Sequence, residues 1–494
     1  MEDIKQNKQL LIVLWIFIIV SIVHILYATI TMRGMYLDAC TWMVVLLNNF
    51  SNNIVDVVHL PVARNITVAI PQIPVLASYF LLGIKSKTAL VMIYCFSQFF
   101  LPFLFLGLHY KLTKRTGKYD VFLLNLFVYC AVLIPFSIFS VVETLIGATL
   151  QFILWNYLVS DIEYKKTDLI WITLLSVTMY EIYEYTIFLS PLFLLAAILK
   201  AKKETRKKEK ITKFLIGFSF IGVGFYTLYH TLRSEFLLNA TLRFLGEMTD
   251  YFSKLFELNS LISITTILLI IIFLFKKSKI GNWSFTFLSL VFIGTMWRLL
   301  QTLPISLVPM WEQHLRTIPC WLLPIIFVYM LIAEKFNLKL NGIKYQNILI
   351  IILLCGIMQS NWQIVNTYYW DRNVQYMKKE LAECNTPLYI PSEHKEISSF
   401  ENNDLRRYIW HSVYAPMSII FSPNYEQKTL LVNYDHFEDA GNLTFRERLY
   451  VIDDSKMSIP FEYTISIKNR FWDLTNCAKN LDEYNKINNI KTDL

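Results

Sequence analysis

LLIVLWIFIIVSIVHILYATI, residues 10–30, holds no Asp, Glu, Lys or Arg. A helix rises about 1.5 Å per residue, so about 20 such residues cover the roughly 30 Å hydrocarbon core of a bilayer. The stretch reads as a membrane span. It is too long for the core of a cleavable signal, and no small-residue cleavage site follows it.

Further apolar segments of spanning or near-spanning length lie at 88–110, 120–138, 141–159, 211–230, 258–275, 283–302, 317–333 and 346–360. The whole chain agrees with them: 55% of its residues are hydrophobic, 17% are charged, and the mean hydropathy is +0.43, outside the balance of soluble domains. A net charge of +8 in a soluble protein would point to nucleic acid. Here the cations gather in short loops between apolar runs, as the positive-inside rule requires, so the charge reports topology and no nucleic-acid partner is implied.

Five basic clusters set the parity: Lys5 with Lys8, Lys111 to Lys118, Lys200 to Lys213, Lys276 to Lys279, and Lys335 to Lys344, all expected in the cytoplasm. An even number of crossings must separate neighbouring clusters. Residues 66–84, with Pro71 and Pro74, are therefore expected to form a re-entrant or surface helix. Residues 168–200 are expected to form two short helices meeting at YEIYEY, Tyr180 to Tyr185. The count becomes about 11 transmembrane helices, N-terminus inside and C-terminus outside. External loops then fall at 31–87, around 139, around 182, at 231–257 and at 303–316.

After Ile357 the apolar character ends. Residues 361–494 alternate polar segments with short β-rich ones (LYI, SIIF, TLLVNY, LYVID), which predicts a small extracytoplasmic α+β domain beyond a transmembrane domain of residues 1–360. The seven cysteines form no CxxC pair, so no zinc site is indicated. Cys384 and Cys477 both fall in the C-terminal domain, where an oxidising compartment could join them.

The first external loop carries the most informative letters, RGMYLDACTWMVVLLNN (33–49) followed by HLPVARNITVAIPQIPV (59–75). An acid, Asp38, comes soon after the first span, Trp42 lies one helical turn later, and a Pro-punctuated apolar segment leads to the second span. This arrangement resembles the GT-C superfamily of membrane glycosyltransferases, which includes the protein mannosyltransferases and the aminoarabinose transferases of lipid A. The resemblance covers the layout of about 360 residues plus an external C-terminal domain, and it implies an inverting transfer from a lipid-linked sugar. In that family the first-loop acid acts on the acceptor nucleophile or helps to bind a metal, and Asp38 stands at that position. Ala39 and Cys40 follow where a second acid is usual, and one carboxylate is a poor divalent-cation site, so no metal ligands are assigned although a divalent metal stays possible.

The residue types suit that chemistry. Sugar transfer from a polyprenyl phosphate needs a base near the acceptor hydroxyl, a task for Asp38, and cations on the departing phosphate. Arg316, with His314 and Arg298, lies at external helix ends and is the candidate phosphate grip, since guanidinium binds phosphate oxygens in bidentate fashion. His59, Arg64, Glu181 and Glu184 are candidate substrate-binding groups. Glu181 and Glu184, three apart, share a helix face, which either holds a sugar or second substrate or is a solvated helix turn. Glu143, alone between two spans, reads as a cap or interface group.

No GxxxxGK[ST], HExxH or GxSxG occurs, so nucleotide hydrolysis and the common hydrolase schemes lack support. An external site has poor access to cytosolic nucleotide sugars, which independently favours a polyprenyl-phosphate sugar donor and an extracytoplasmic acceptor, a glycan, lipid or protein. The expected setting is the bacterial cytoplasmic membrane. The rival readings are a transporter or flippase of lipid-linked glycans, which would also need many spans and cationic grooves, and a polysaccharide polymerase or ligase.

Overall fold

A computed structural model describes residues 8–35, 38–56, 65–134, 143–183, 185–233, 323–335, 342–383, 388–390, 414–427, 431–433, 452–453, 456–459, 463–466 and 468–477. Over these residues the protein is mostly helical. In chain order the helices are α1 (Lys8–Ile30), α2 (Asp38–Ser51), α3 (Asn65–Phe80), α4 (Lys87–Thr116), α5 (Tyr119–Val128, continued by a π turn at Tyr129–Leu133), α6 (Glu143–Val159), α7 (Lys166–Thr178), α8 (Thr186–Lys203) and α9 (Lys207–Arg233). Then come α10 (323–335), α11 (Gly342–Glu383) and α12 (Tyr414–Phe421). Among the described residues four helices, α1, α4, α9 and most of α11, are long and apolar enough to cross a membrane. The predicted spans at 258–275 and 283–302 lie outside the described residues.

Helix α1 shows the solvent for which the bundle is built. It buries Leu10, Phe17, Ser21, His24, Ile25 and Ala28 along one stripe. Its opposite side leaves Ile12, Trp15, Ile19 and Ile30 more than half exposed, an apolar face that a soluble helix would cover. Helix α4 is bounded by ordinary capping chemistry. The Ser86 hydroxyl accepts from the Ala89 N–H, and Gly117, at φ 72°, turns the chain out of the helix while its N–H donates to Thr113 O at 2.8 Å.

The bundle has two distinct ends. At one, which we call the basic end, the C-termini of α4, α8 and α10 meet the N-termini of α5, α7 and α9 in a web of ion pairs. Arg115 holds Asp168 at 2.6 Å, Lys118 holds Glu334 at 2.9 Å, and Lys200 also pairs with Glu334. Lys213, with no exposed side-chain surface, holds Glu204 at 2.9 Å, and Arg206 holds the other Glu204 oxygen at 2.9 Å. Deeper in the bundle, buried His109 of α4 has Asn125 Nδ2 2.7 Å from Nδ1 and Asn156 Nδ2 3.0 Å from Nε2. A neutral imidazole has a single N–H, so one of these amides must turn its oxygen to the ring, giving a donor-acceptor clasp between α4, α5 and α6.

The far end is layered. Helix α3 lies between its hydrogen bonds to two other segments: Thr67 donates to Ile182 O at 3.1 Å, and the Tyr79 hydroxyl donates to Phe50 O at 3.1 Å. Lys87, at the start of α4, donates to Ile419 O and Ser422 O of the α12 segment. The backbone N–H of Ser466 donates to the Asn48 side chain of α2. Two large hydrophobic cores result among the described residues, with a small third cluster of Ile25, Ala28 and Phe99. Val121, Ile146, Trp155, Phe193, Phe220 and Phe327 belong to the bundle core. A second core joins Met35, α2, α3, the start of α4, the last turns of α11, α12 and Phe471 to Cys477.

Helix α11 connects them. At about 1.5 Å per residue its 42 residues extend roughly 63 Å, and it runs unbroken through residue 361. Beyond it, β1 (Leu388–Ile390) and β2 (Leu431–Asn433) pair in parallel, and β3 (Ile452–Asp453), β4 (Lys456–Ile459) and β5 (Tyr463–Ser466) form an antiparallel sheet. The stretch SIIF, expected as β-rich, is instead the end of α12, because a continuous apolar run packs equally well as a buried helix face. Cys477 is a buried free thiol whose S–H donates to Gln427 O, and Cys384, its candidate partner, lies outside the described residues.

Candidate functional site

The link between α1 and α2 makes a tight turn at the junction of the two cores. Met32 sits at φ 53°, the left-handed region that costs a non-glycine residue roughly 1–2 kcal/mol. That turn drives Arg33 inward, where it is 2% exposed. Its guanidinium carbon lies 5.1 Å from the centre of the Trp370 ring of α11, and the Trp370 indole N–H donates to Thr31 O at 2.9 Å. Gly34 follows because nothing larger fits: a Cβ there would press on Gln98 and come within 3.2 Å of the Cys95 backbone. Asp38 opens α2 three residues beyond Met35. The backbone of the first-loop acid thus starts from a fixed point between α1, α4 and α11.

The second feature of this end is the turn between α7 and α8. Glu181 accepts a hydrogen bond of 2.6 Å from the Tyr226 hydroxyl of α9. The rings of Tyr180 and Tyr226 meet edge to face at 5.8 Å, and the Tyr226 ring lies 4.4 Å from His230 one turn further on. The sequence had flagged Glu181. It had not flagged Tyr226 and His230, although their i, i+4 spacing, with Tyr229 and Arg233 in the same spacing, was there to be read. Arg33 and Trp370 were also missed: nothing local distinguishes a buried loop arginine from an exposed one until the helix that covers it is placed.

A small cavity of about 10 Å³ lies inside the bundle between Ser21, His24, Phe99, Pro102, Tyr129 and Ser360, enough for about one water molecule. The π turn of α5 and Pro102 of α4 both open the helix packing there. Neither the Ser21 nor the Ser360 hydroxyl has a hydrogen-bond partner among the described residues, which a single water would supply.

Of the residues singled out in the sequence, His59, Arg64, Glu184, Arg298, His314 and Arg316 lie outside the described residues, as does the side chain of Asp38. Helix α3 links the Glu181 turn to the last turn of α2: Thr67, near its start, reaches Ile182 O, and Tyr79, near its end, reaches Phe50 O. Among the described residues no three His, Cys, Asp or Glu side chains come together as a metal site.

No known protein family, curated protein or solved structure matches this chain.

Proposed function

We propose that this chain is a membrane glycosyltransferase of GT-C layout, transferring a sugar from a polyprenyl-phosphate donor to an extracytoplasmic acceptor. In this reading the chain has about 11 spans. The basic end faces the cytoplasm, and the far end, with the segment after residue 360 as a small α+β domain, faces outward.

One observation carries the reading: Glu181, on a helix turn at the far end, forms no ion pair with any described residue. At the basic end Asp161, Asp168, Glu204 and Glu334 are each matched to Lys or Arg, an arrangement that ties helix termini together. At the far end Glu181 accepts from the Tyr226 hydroxyl, Asp38 begins a helix fixed by buried Arg33 and Trp370, and Asp473, in the segment beyond the bundle, pairs with Lys468. An acid held on a rigid element and met by a hydroxyl is suited to substrate hydroxyls.

In mechanism, Asp38 takes the proton from the acceptor hydroxyl as that oxygen attacks the anomeric carbon. The bond from that carbon to the phosphate oxygen breaks, and the leaving phosphate gains charge. Arg316, with His314 and Arg298, would stabilise that charge more in the transition state than in the ground state.

The test is transfer from a synthetic polyprenyl-phosphate sugar by the full chain in detergent. Asp38→Asn keeps shape and removes the base, so the rate should fall about 10² to 10⁴-fold. Arg316→Lys keeps the charge and loses the planar fork, so it should also be impaired. Full turnover by Asp38→Asn would refute the assignment of the base. If the wild-type protein consumes no lipid-phosphate sugar, the transporter reading replaces this one.

A further inference from the structure

The aromatic cluster around Glu181 is more than a brace between α7 and α9. Among the described residues only one carboxylate oxygen is used, by the Tyr226 hydroxyl. Glu181 Oε2 and both ring nitrogens of His230 make no hydrogen bond to any described residue, and both side chains are only partly buried. Two polar groups with spare capacity therefore sit among the rings of Tyr180, Tyr226 and Tyr229, the last of which is 5.6 Å from His230.

The backbone of α9 is shaped to admit one of those rings. The Tyr180 hydroxyl lies 2.6 Å from where a Cβ of Gly222 would be, so only glycine lets this ring rest against the helix. Gly222, Tyr226 and His230 recur at i, i+4, i+8 and line a single stripe of α9. Further round, Arg233 donates to the Tyr229 hydroxyl at 2.7 Å and lies over its ring.

From these groups we infer that Tyr180, Glu181, Tyr226 and His230 form a subsite for a neutral pyranose ring, an inference that rests on the glycosyltransferase reading and names the substrate class at that end of the protein. An aromatic face meets the C–H face of a sugar, while a carboxylate oxygen and an imidazole nitrogen take its hydroxyls. A ligand of this kind fits better than an alkylammonium ion, the other common guest of aromatic groups around a carboxylate. Arg233 stands in the cluster as a fixed cation, and the Tyr226 hydroxyl already neutralises part of the carboxylate's field. The hydrogen bond from Thr67 of α3 to Ile182 O, one residue past Glu181, places the subsite in the same layer as the first loop.

Saturation-transfer NMR on the full-length protein in a polyoxyethylene detergent, which carries no sugar, tests this with methyl glycosides of glucose, galactose, mannose and N-acetylglucosamine. Binding is read without turnover, so a failed transfer assay and a failed subsite remain distinguishable. At least one glycoside should show transfer to its ring protons. Glu181→Gln and Tyr180→Ala should each weaken it about 10-fold or more, the loss of a hydrogen bond to a charged group or of a stacking face. Gly222→Ala removes no polar atom and improves helix propensity, yet it displaces Tyr180 and should weaken binding as well. Phe225→Ala, on the exposed side of α9, should change nothing. No glycoside signal from folded wild type, equal signals from wild type and the Glu181 and Tyr180 variants, or displacement of the glycoside by millimolar tetramethylammonium would each overturn the subsite. If Tyr180→Ala proves unfolded by gel filtration, Tyr226→Phe, which keeps the ring and frees the carboxylate, must still alter the affinity.

Discussion

Replacing Glu204 by Gln should destabilise the protein by about 3 kcal/mol, and the reason is Lys213. That lysine is fully buried at the basic end, with Glu204 2.9 Å from its ammonium nitrogen. At this distance and an effective dielectric of about 20, the attraction is roughly 6 kcal/mol. Asp161 lies 3.9 Å from the same nitrogen but is 74% exposed, so water screens it and it would restore only about 1 kcal/mol. Removing one partner of a buried pair costs about 3–5 kcal/mol in practice, because the remaining charge stays desolvated, and the loss here is set at the lower end since Asp161 remains. The double variant Glu204→Gln with Lys213→Met strands no charge and should recover most of the loss. Unfolding titrations in mixed micelles, monitored by near-ultraviolet circular dichroism, give the three free energies. A single variant as stable as wild type, or a double variant no better than the single, would refute the reasoning. The pair also sets a pH window. Hydrogen bonding from Arg206, then Lys213, holds the Glu204 carboxyl at about 2, below its ordinary 4.5. A carboxyl depressed in the folded state stabilises it fully above the unfolded value and loses that contribution as pH falls from about 4.5 toward 2. The Glu204→Gln protein should lack this part of the acid sensitivity.

Three other outcomes are expected. Cysteines placed at 250 and 314 should react with an impermeant maleimide in intact cells, while one at 207 should not; strong external labelling at 207 would reverse the proposed orientation. Phe193→Ala removes a ring stacked on Phe220 at 3.6 Å and packed edge-on against Trp155, so the unfolding free energy should drop by about 3–5 kcal/mol, whereas a drop below about 1 kcal/mol would show that the cluster repacks. Gly34→Ala must push the turn after α1 away from the Cys95 backbone, and a loss of about 1–3 kcal/mol should appear as a lowered unfolding midpoint, with the Gln98 side chain alone unable to relieve it.

Much of the architecture was legible because lipid imposes a simple code. Residues 10–30 form α1, and the parity argument that split 168–200 into two helices is matched by α7 and α8 meeting around Glu181. The segment with Pro71 and Pro74, expected as a re-entrant or surface helix, is a helix lying against α4. The π turn at Tyr129–Leu133 carries no signal in its letters, since one extra residue in a helical turn leaves an apolar run looking unchanged. Past residue 361 the hydropathy falls, but the helix persists because Trp370, Val374, Met377 and Leu381, spaced for one helix face, meet the second core. That spacing was visible and was outweighed by the polar residues between. At the site, an acid inside an apolar stretch could be found from sequence, whereas its partner Tyr226, 45 residues away, became apparent only once α9 was packed beside α7.

The unbroken length of α11 makes it a lever with a defined fulcrum. Trp370, fastened to Thr31 and covered by Arg33, pins the rod where the bundle ends, and the last 13 residues reach on among α12 and the far-end core. At about 1.5 Å per residue that arm is roughly 20 Å long, so a tilt of about 10° below the pin would swing its tip by about 3 to 4 Å. Any rearrangement of α1 and α11 around a lipid would then be delivered, without an intervening hinge, to the segments that lie over the first loop.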